Sequence, residues 1–211
     1  MIRLNDLYAL HKPLEKEFFK VFDQTLKASR FIGGEAVTFF EQQFAAMCDT
    51  EHCIAVANGT DAIEIVLRAL NLKAGDEVIV PSLTWISTAE AVTNLGGTPV
   101  FADCESTSCN IDVDSVANFI SEKTVGIIAV HLHGSEADTD GLSTICASNK
   151  LWLIEDCAQS HLLNKYSCSV GKHSVACTYS FFPGKNLGAF GDAGAITTNN
   201  QSKYYIIILL T

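Results

Sequence analysis

A lysine inside a loop is the residue in this sequence whose position most clearly suggests chemistry. Lys185 lies in the segment SFFPGKNLG, residues 180–188, where a proline and two glycines interrupt regular structure. Lysines usually lie on solvated helix faces. An amine held in an aromatic-rich loop is instead suited to attack an aldehyde carbon. The alternative on this evidence alone is an ordinary lysine of a surface loop.

A carboxylate in a predominantly apolar setting is the second candidate. Asp156 follows the apolar residues Leu153 and Ile154, and Gln159 comes three residues later. A carboxylate at the end of a buried strand is partly desolvated and requires a cationic partner, such as a protonated pyridine nitrogen. Asp156 could equally be a structural cap or a member of an ion pair.

A possible anion site is the third candidate. The residues NGTD, 58–61, lie between a predicted strand and a predicted helix. Gly59 permits close approach of a ligand, the first amides of a helix attract anions, and Thr60 adds a hydroxyl. Asp61 is also a common residue in the first turn of a helix. A plain capped turn therefore remains an alternative.

Alternating strands and helices must position these residues. The pattern predicts helices up to residue 27 and over 37–47, 61–70, 88–94, 112–120 and 140–148, and strands over 54–57, 78–80, 99–102, 125–130, 151–154, 175–179 and 195–198. Repeated strand–helix units predict an α/β fold with a mostly parallel sheet flanked by helices. Ligands of such sheets bind beyond the carboxyl ends of the strands, where the three candidate segments lie.

The last residues do not follow this pattern. Residues 204–210, YYIIILL, contain no charge and no turn residue. Their composition favours a buried strand, and such a segment left exposed would be prone to aggregation.

Composition excludes several classes of function. The chain has 211 residues and a net charge of −10. We therefore expect neither a basic surface nor nucleic-acid binding. Its start is polar, and no apolar run approaches the roughly 18 residues of a membrane helix. The eight cysteines include no C-x-x-C pair and are expected to be reduced core residues. We therefore expect a cytoplasmic protein without membrane association.

Four ordered segments resemble the DegT/DnrJ/StrS family of pyridoxal-phosphate (PLP)-dependent sugar aminotransferases. They are residues 56–92 (VANGTDAIEIVLRALNLKAGDEVIVPSLTWISTAEAV), 96–112 (GGTPVFADCESTSCNID), 154–161 (IEDCAQSH) and 180–200 (SFFPGKNLGAFGDAGAITTNN). The resemblance runs in order from about residue 4 to residue 200. Several ordered motifs at family-like spacing are far more specific than any one of them.

The resemblance assigns a role to each candidate residue. It implies that Lys185 is the catalytic lysine that forms the Schiff base with PLP, and that Asp156 pairs with the pyridine nitrogen. By the same comparison Gln159 lies beside the ring and its 3-hydroxyl, and Trp85 stacks on the ring. The phosphate positions are Thr60, Asp61 through its backbone, and Ser180.

The resemblance also implies a whole-protein context. The expected fold is the large domain of the PLP-dependent transferase fold type I, which is aspartate aminotransferase-like, without the C-terminal small domain. Residues 1–30 would form a helical arm, 31–200 an incomplete PLP-binding domain and 201–211 an atypical tail. The expected reaction transfers an amino group, often from glutamate, to a keto group of a dTDP- or UDP-linked deoxysugar. That reaction would serve cell-surface polysaccharide or related amino-sugar biosynthesis, and the full-length family is expected to be homodimeric.

Several residues depart from the family pattern. His133 replaces the tyrosine of a Leu-Tyr-Gly motif, Leu162-Leu163 replace Gly-Ala after His161, and His173-Ser174 replace a Gly-Asp pair. His131 and His133 form an H-x-H pair, but without a third ligand no metal site is expected. The sequence also suggests a truncated or frame-shifted product, so a catalytically inactive remnant is the alternative function. Another PLP enzyme of the same fold, such as a carbon–sulfur lyase, is a more distant one.

Overall fold

The chain folds into one seven-stranded sheet with helices on both sides. A computed structural model describes residues 5–163 and 171–211. The helices are α1 (Leu7–His11), α2 (Glu15–Ala28), α3 (Glu35–Met47), α4 (Gly59–Ala69), α5 (Ser87–Asn94), α6 (Val113–Asn118), α7 (Thr139–Asn149) and α8 (Gln201–Leu210), with short 3-10 turns at Lys12–Leu14 and Leu132–Gly134. The strands are β1 (His52–Val56), β2 (Glu77–Pro81), β3 (Thr98–Ala102), β4 (Thr124–Val130), β5 (Trp152–Asp156), β6 (Ala176–Ser180) and β7 (Gly194–Thr198).

The sheet is mostly parallel, as the sequence predicts. Its strand order is β1-β7-β6-β5-β4-β2-β3. The four pairs from β6 through β3 are parallel. Strand β7 is antiparallel to both of its neighbours, β1 and β6. The carboxyl ends of β5 and β6 therefore lie side by side, with Asp156 in register with Thr178.

Apolar side chains cover both faces of the sheet. On one face, α4, α5 and α8 pack over buried strand residues such as Val78, Val80 and Ile196. On the other face, α6 and α7 pack over residues such as Ile79 and Ile127. Successive side chains along β2 point to opposite faces of the sheet and are buried on each. A parallel sheet covered on both sides requires this arrangement.

Helix α2 contributes no buried residue, although it belongs to the predicted N-terminal helix up to residue 27. The arm contacts the rest of the chain through an aromatic pair, in which the rings of Phe18 and Phe190 lie 4.7 Å apart. The side chains of Phe19, Phe22 and Leu26 are each more than half exposed.

The predicted strand at the end of the chain is wrong, because residues 201–210 form helix α8. The Asn200 side chain accepts a hydrogen bond from the Lys203 amide and caps the first turn. The Lys203 ammonium donates to the carbonyl of Ala69 at the end of α4, at 3.0 Å. Ile207 is 1% exposed within the core. A cap and tertiary packing therefore override the β preference of the isoleucines.

Most of the described cysteines are core residues. Cys48, Cys53, Cys146, Cys157 and Cys177 are buried, and none of the seven described cysteines forms a disulfide. Cys168 lies outside the described residues. None of the described helices has the length and apolar character needed to cross a bilayer.

Candidate active site

A cavity of about 650 Å³ lies at the carboxyl ends of β5 and β6, against the N-terminus of α4. All seven predicted site residues line it: Thr60, Asp61, Trp85, Asp156, Gln159, Ser180 and Lys185. The structure therefore brings together residues that are up to 125 positions apart in the sequence, between Thr60 and Lys185. Asn58, from the NGTD segment that the sequence analysis singled out, also lines this cavity, and so do Ser87 and Asp192, which sequence reasoning did not identify.

The N-terminus of α4 forms one end of the cavity. The Asn58 side chain caps this helix by accepting a hydrogen bond from the Asp61 amide at 2.9 Å. The family resemblance assigns this Asp61 amide to a phosphate. In this structure the amide is bonded to Asn58, so an anion that used it would have to displace the cap. A β-carbon on Gly59 would lie 2.8 Å from the Ser180 β-carbon. Glycine is thus what allows α4 to approach the end of β6 closely.

Two hydroxyl groups face each other at the same end. The Thr60 hydroxyl donates to the Ser87 oxygen at 2.7 Å. Because Thr60 uses its only hydroxyl proton in this bond, Ser87 is left with a proton to donate. Ser87 is the first residue of α5, so two helix N-termini meet at this end of the cavity. The available signal was a serine at the start of a predicted helix, close to Trp85.

Asp156 lies on the floor of the cavity, 7% exposed. Its carboxylate accepts a hydrogen bond from the Ala158 amide at 3.0 Å. Burial raises the pKa of Asp156, while the Ala158 amide, the Lys185 ammonium, His131 and the Thr88 hydroxyl act in the opposite direction. A cation placed beside a carboxyl group in this setting strongly lowers its pKa.

The backbone holds the Lys185 loop in place. At its start, the Phe181 amide donates a hydrogen bond to the Ala193 carbonyl at 2.7 Å. The Phe181 carbonyl accepts one from the Ala189 amide at 2.8 Å. The Lys185 amide donates to the Phe182 carbonyl at 2.8 Å. The loop also doubles back closely, since a β-carbon on Gly188 would lie 2.3 Å from the Pro183 oxygen. Lys185 is thereby fixed where its amine can reach the cavity.

Gln159 links the cavity to a neighbouring one of about 500 Å³, which is also lined by His133, Gly134, Phe182, Gly184, Lys185 and Asn186. The Gln159 side-chain oxygen accepts a hydrogen bond from the His133 amide at 3.0 Å. His133, one of the departures from the family pattern, has a left-handed backbone with φ of 55°. It borders the space beside Lys185.

Trp85 lies at the rim of the cavity rather than within it. Its side chain is 74% exposed. An indole in this position can cover a flat ring placed in the cavity, because aromatic rings pack favourably in offset stacks.

His131 is fully buried and both of its ring nitrogens have partners. Nδ1 accepts from the Ala137 amide at 3.1 Å, so Nε2 carries the proton and donates to Glu155 at 2.8 Å. The H-x-H spacing therefore does not provide two free metal ligands. Among residues 5–163 and 171–211, no three His, Cys, Asp or Glu side chains form a group that could hold a metal ion.

The segment after Gln159 contains a second buried histidine. His161 lies against the rings of Tyr179 and Phe181, and its Nε2 donates to the Ser180 carbonyl at 3.0 Å. Burial lowers the pKa of His161 to about 4, the Ser180 carbonyl opposes that shift and Lys185 adds to it. The next residue, Leu162, has φ of 64°, in the left-handed region that favours glycine.

These residues fit the parts of a phosphorylated pyridine aldehyde. Two helix N-termini with the hydroxyls of Thr60 and Ser87 suit the phosphate. The buried carboxylate of Asp156 suits a protonated ring nitrogen, and the amine of Lys185 suits the aldehyde.

Comparison with known proteins leads to the same chemistry. Residues 12–211 match the DegT/DnrJ/EryC1/StrS aminotransferase family model, and this match includes the helix α8. The chain is 41% identical over 196 residues to a protein of Geobacillus stearothermophilus named "pleiotropic regulatory protein". This alignment covers 93% of the chain and 53% of that protein. It is 37% identical over 195 residues to the dTDP-3-amino-3,4,6-trideoxy-alpha-D-glucose transaminase of Streptomyces venezuelae, covering 92% and 52%.

A solved structure resembles the fold closely. NtdA of Bacillus subtilis, crystallised with bound cofactor PMP, superposes with a TM-score of 0.88 at 34% identity. The superposition covers 92% of this chain and 43% of that one. The chain thus spans about half the length of the proteins that it matches.

Proposed function

The chain belongs to the DegT/DnrJ/EryC1/StrS aminotransferase family, whose cofactor is PLP, and from that premise we propose that it carries the cofactor-binding half of a nucleotide-sugar aminotransferase. The observation that carries the proposal is the meeting of Lys185, Asp156 and the α4 N-terminus in one cavity. Fold alone would not support this function, because related folds host unrelated reactions.

Each residue has a distinct task in the proposed site. Lys185 would hold the cofactor covalently through its side-chain amine, and the same amine, once released, is placed to act as the base that takes and returns a proton. Asp156 keeps the ring nitrogen protonated, which is the condition for PLP to act as an electron sink. Gln159 and Trp85 fix the ring from its edge and its face.

Thr60, Ser180 and the amide of Asp61 are proposed to bind the phosphate, with Ser87 as an additional hydroxyl. The close approach of Gly59 to Ser180 supports this assignment, since it brings the end of β6 and the N-terminus of α4 to the same end of the cavity. Phosphate binding at a helix N-terminus needs no lysine or arginine, which agrees with the acidic composition of the chain.

We propose a keto sugar linked to dTDP as the first amino acceptor to test, a UDP-linked sugar as the second, and glutamate as the amino donor. The named Streptomyces venezuelae transaminase supports the dTDP-linked choice. The second cavity, beside Lys185 and bordered by His133, provides space for an acceptor next to the reacting amine. We also propose that the functional unit is a homodimer.

Absorbance spectroscopy tests cofactor binding directly. The purified chain mixed with PLP should develop a band near about 410–430 nm, typical of lysine-bound cofactor. The band should be absent in Lys185→Ala and present in Lys203→Ala, because Lys203 lies on α8 and bonds to α4 away from the cavity.

Glutamate addition then tests the reaction. Loss of the band with glutamate, followed by its return with a dTDP-linked keto sugar, is the expected result for an aminotransferase. A band that persists with glutamate would instead indicate the inactive remnant, and no band in the unmodified chain would contradict the proposed cofactor site.

A further inference from the structure

An asparagine on the loop after β3 closes both ends of the turn that borders the second cavity. Asn110, in the segment NID at 110–112, is 2% exposed. Its side-chain oxygen accepts a hydrogen bond from the Leu132 amide at 3.0 Å, and its side-chain nitrogen donates to the Ser135 carbonyl at 3.2 Å. These backbone partners determine the orientation of the Asn110 amide group, because an N–H only donates and a carbonyl only accepts. Asn110 therefore joins the start and the end of the turn at residues 132–135.

The main chain around Asn110 holds its side chain in a fixed position. The Asn110 carbonyl accepts a hydrogen bond from the Glu105 amide at 2.9 Å. The next residue, Ile111, pairs with Cys104 in an antiparallel bridge. The backbone of Asn110 is thus bonded to the segment that leaves β3, so its amide group meets the turn from a rigid support.

The 132–135 turn includes an unfavourable backbone conformation. His133 has φ of 55° and Gly134 has φ of 81°, so two consecutive residues are left-handed and only the second is glycine. A residue with a β-carbon resists this conformation, and surrounding contacts must maintain it. Within the turn, the Ser135 amide donates to the Leu132 carbonyl at 2.9 Å. The two bonds from Asn110 add to this one and keep the turn closed.

The closed turn determines which end of the Gln159 side chain is free. The His133 amide donates to the Gln159 side-chain oxygen at 3.0 Å. Gln159 lines both cavities. Because its oxygen is held by that amide, the side-chain NH₂ group is the end of Gln159 that remains to donate to a ligand. If the turn opened, the oxygen would be released and the side chain could rotate to present either end.

We propose that Asn110 is a positioning residue for the aminotransferase site, which keeps the 132–135 turn closed and thereby keeps Gln159 oriented as a hydrogen-bond donor. Asn110 acts through the turn, because both ends of its own amide group are bonded to Leu132 and Ser135. The effect on cofactor binding rests on the proposed function. The coupling of Asn110 to the bond between His133 and Gln159 does not.

The first experiment needs no cofactor and measures amide hydrogen exchange by NMR. Asn110→Leu has a similar volume but makes neither hydrogen bond, so the turn should open more often. The His133 amide should then exchange about tenfold faster. This increase should exceed that of the amides of α4, a core helix whose exchange follows global unfolding. Asn110→Ser, which is too short to reach both partners, should change the His133 rate in the same direction and replaces Asn110→Leu if that variant does not fold.

The second experiment separates positioning from a loss of stability by a double-mutant cycle in PLP affinity, measured from absorbance. Asn110→Leu should weaken PLP binding about tenfold, because the Gln159 donor is no longer fixed. In a chain that already carries Gln159→Leu, the same change should have little further effect. The group through which Asn110 acts is then already missing.

Thr198→Val is the matched control. Thr198 is 3% exposed, and its hydroxyl donates to the Val175 carbonyl at 2.7 Å and accepts from the Asn200 amide at 3.0 Å. Like Asn110, it joins two backbone groups from a buried position, but it lies at the end of β7. Its replacement should change neither the His133 exchange rate relative to α4 nor the PLP affinity.

An unchanged His133 exchange rate in the Asn110 variants would overturn the proposal, and so would an equal loss of PLP affinity with and without Gln159→Leu. Failure of the unmodified protein to bind PLP would contradict the proposed function alone, since the exchange rates still decide whether Asn110 maintains the bond between His133 and Gln159.

Discussion

Two ionisable residues beside the Lys185 loop are buried, and burial shifts their pKa values in opposite directions. It raises the pKa of Asp156, whose charged form is the anion, and lowers that of His161, whose charged form is the cation. The folded state therefore favours a neutral imidazole behind the loop and disfavours the charged form of the carboxyl group in the cavity.

These shifts predict how stability depends on pH. The unfolded chain protonates His161 below its ordinary value of 6.5, whereas the folded chain does so only near 4. The free energy of unfolding is therefore highest, as far as His161 determines it, above pH 6.5. It falls by up to about 3 kcal/mol as pH is lowered toward 4. Asp156 acts in the opposite direction, because its raised pKa lowers stability as pH rises above 3.8.

Replacing His161 with glutamine tests the larger part of this prediction. Glutamine can still donate to the Ser180 carbonyl but does not titrate. Between pH 7.5 and 5.0, the free energy of urea unfolding should fall by about 2 kcal/mol less in His161→Gln than in the unmodified protein. His11→Gln, in the N-terminal arm, should keep the original pH dependence. Equal slopes for His161→Gln and the unmodified protein would contradict the assignment.

The positions of the candidate site residues were predictable where an unusual residue type follows a recognisable strand or loop. Lys185 and Asp156 stand out in the sequence because a loop lysine and a strand-end carboxylate are uncommon, and both line the cavity. Ser87 did not stand out, because its importance depends on a partner 27 residues away, Thr60. This contact is set by how α5 packs against α4, which local patterns do not reveal.

At the scale of elements, the distance between α4 and β6 determines the shape of the cavity at the α4 N-terminus, where we propose that the phosphate binds. Gly59→Ala would place a methyl group 2.8 Å from the Ser180 β-carbon, so the helix and the strand would have to separate. We expect PLP affinity to weaken about tenfold, because misplacement of binding groups by fractions of an ångström is costly. Absorbance titration with PLP measures this effect.

Gly191→Ala is the control for this prediction, since no atom lies within 4 Å of its added β-carbon. It should bind PLP as the unmodified protein does. Alanine in place of a helical glycine normally adds about 1 kcal/mol of stability, so a Gly59→Ala variant that gains stability and keeps full PLP affinity would show that the close approach is unimportant.

Element types could be predicted from the sequence, and strand order could not. Each predicted strand and helix before residue 200 is present, because hydrophobic periodicity and turn residues act locally. The position of β7 beside β1 depends on pairings between residues 138 to 146 positions apart. The end of the chain shows the limit of composition, since its isoleucines fold as α8 once Asn200 caps the first turn.

At the scale of the whole molecule, α2 presents an apolar surface that the described chain does not cover. Phe19 and Phe22 are each 67% exposed, and α2 as a whole buries no residue. Large exposed apolar patches mark interaction sites. A second copy of the chain is the partner that the proposed homodimer provides.

Sedimentation at micromolar concentrations tests this proposal. The unmodified chain should sediment as a species of twice 22.8 kDa. Phe22→Asp should weaken the association at least tenfold, because it places a charge in the apolar surface. Gln24→Asp changes an exposed polar residue of the same helix and should have little effect. A monomer at all concentrations would contradict the homodimer proposal for this chain.

The antiparallel pairing of β1 with β7 has a consequence for how the protein folds. Within the described residues, β1 has β7 as its only neighbour in the sheet, and the first register pair joins residues 52 and 198. During synthesis β1 leaves the ribosome first among the strands but cannot join the sheet until β7 follows. Contacts so distant in sequence form slowly. The end of the cavity formed by the α4 N-terminus, which follows β1 directly, should therefore be among the last parts of the chain to become ordered.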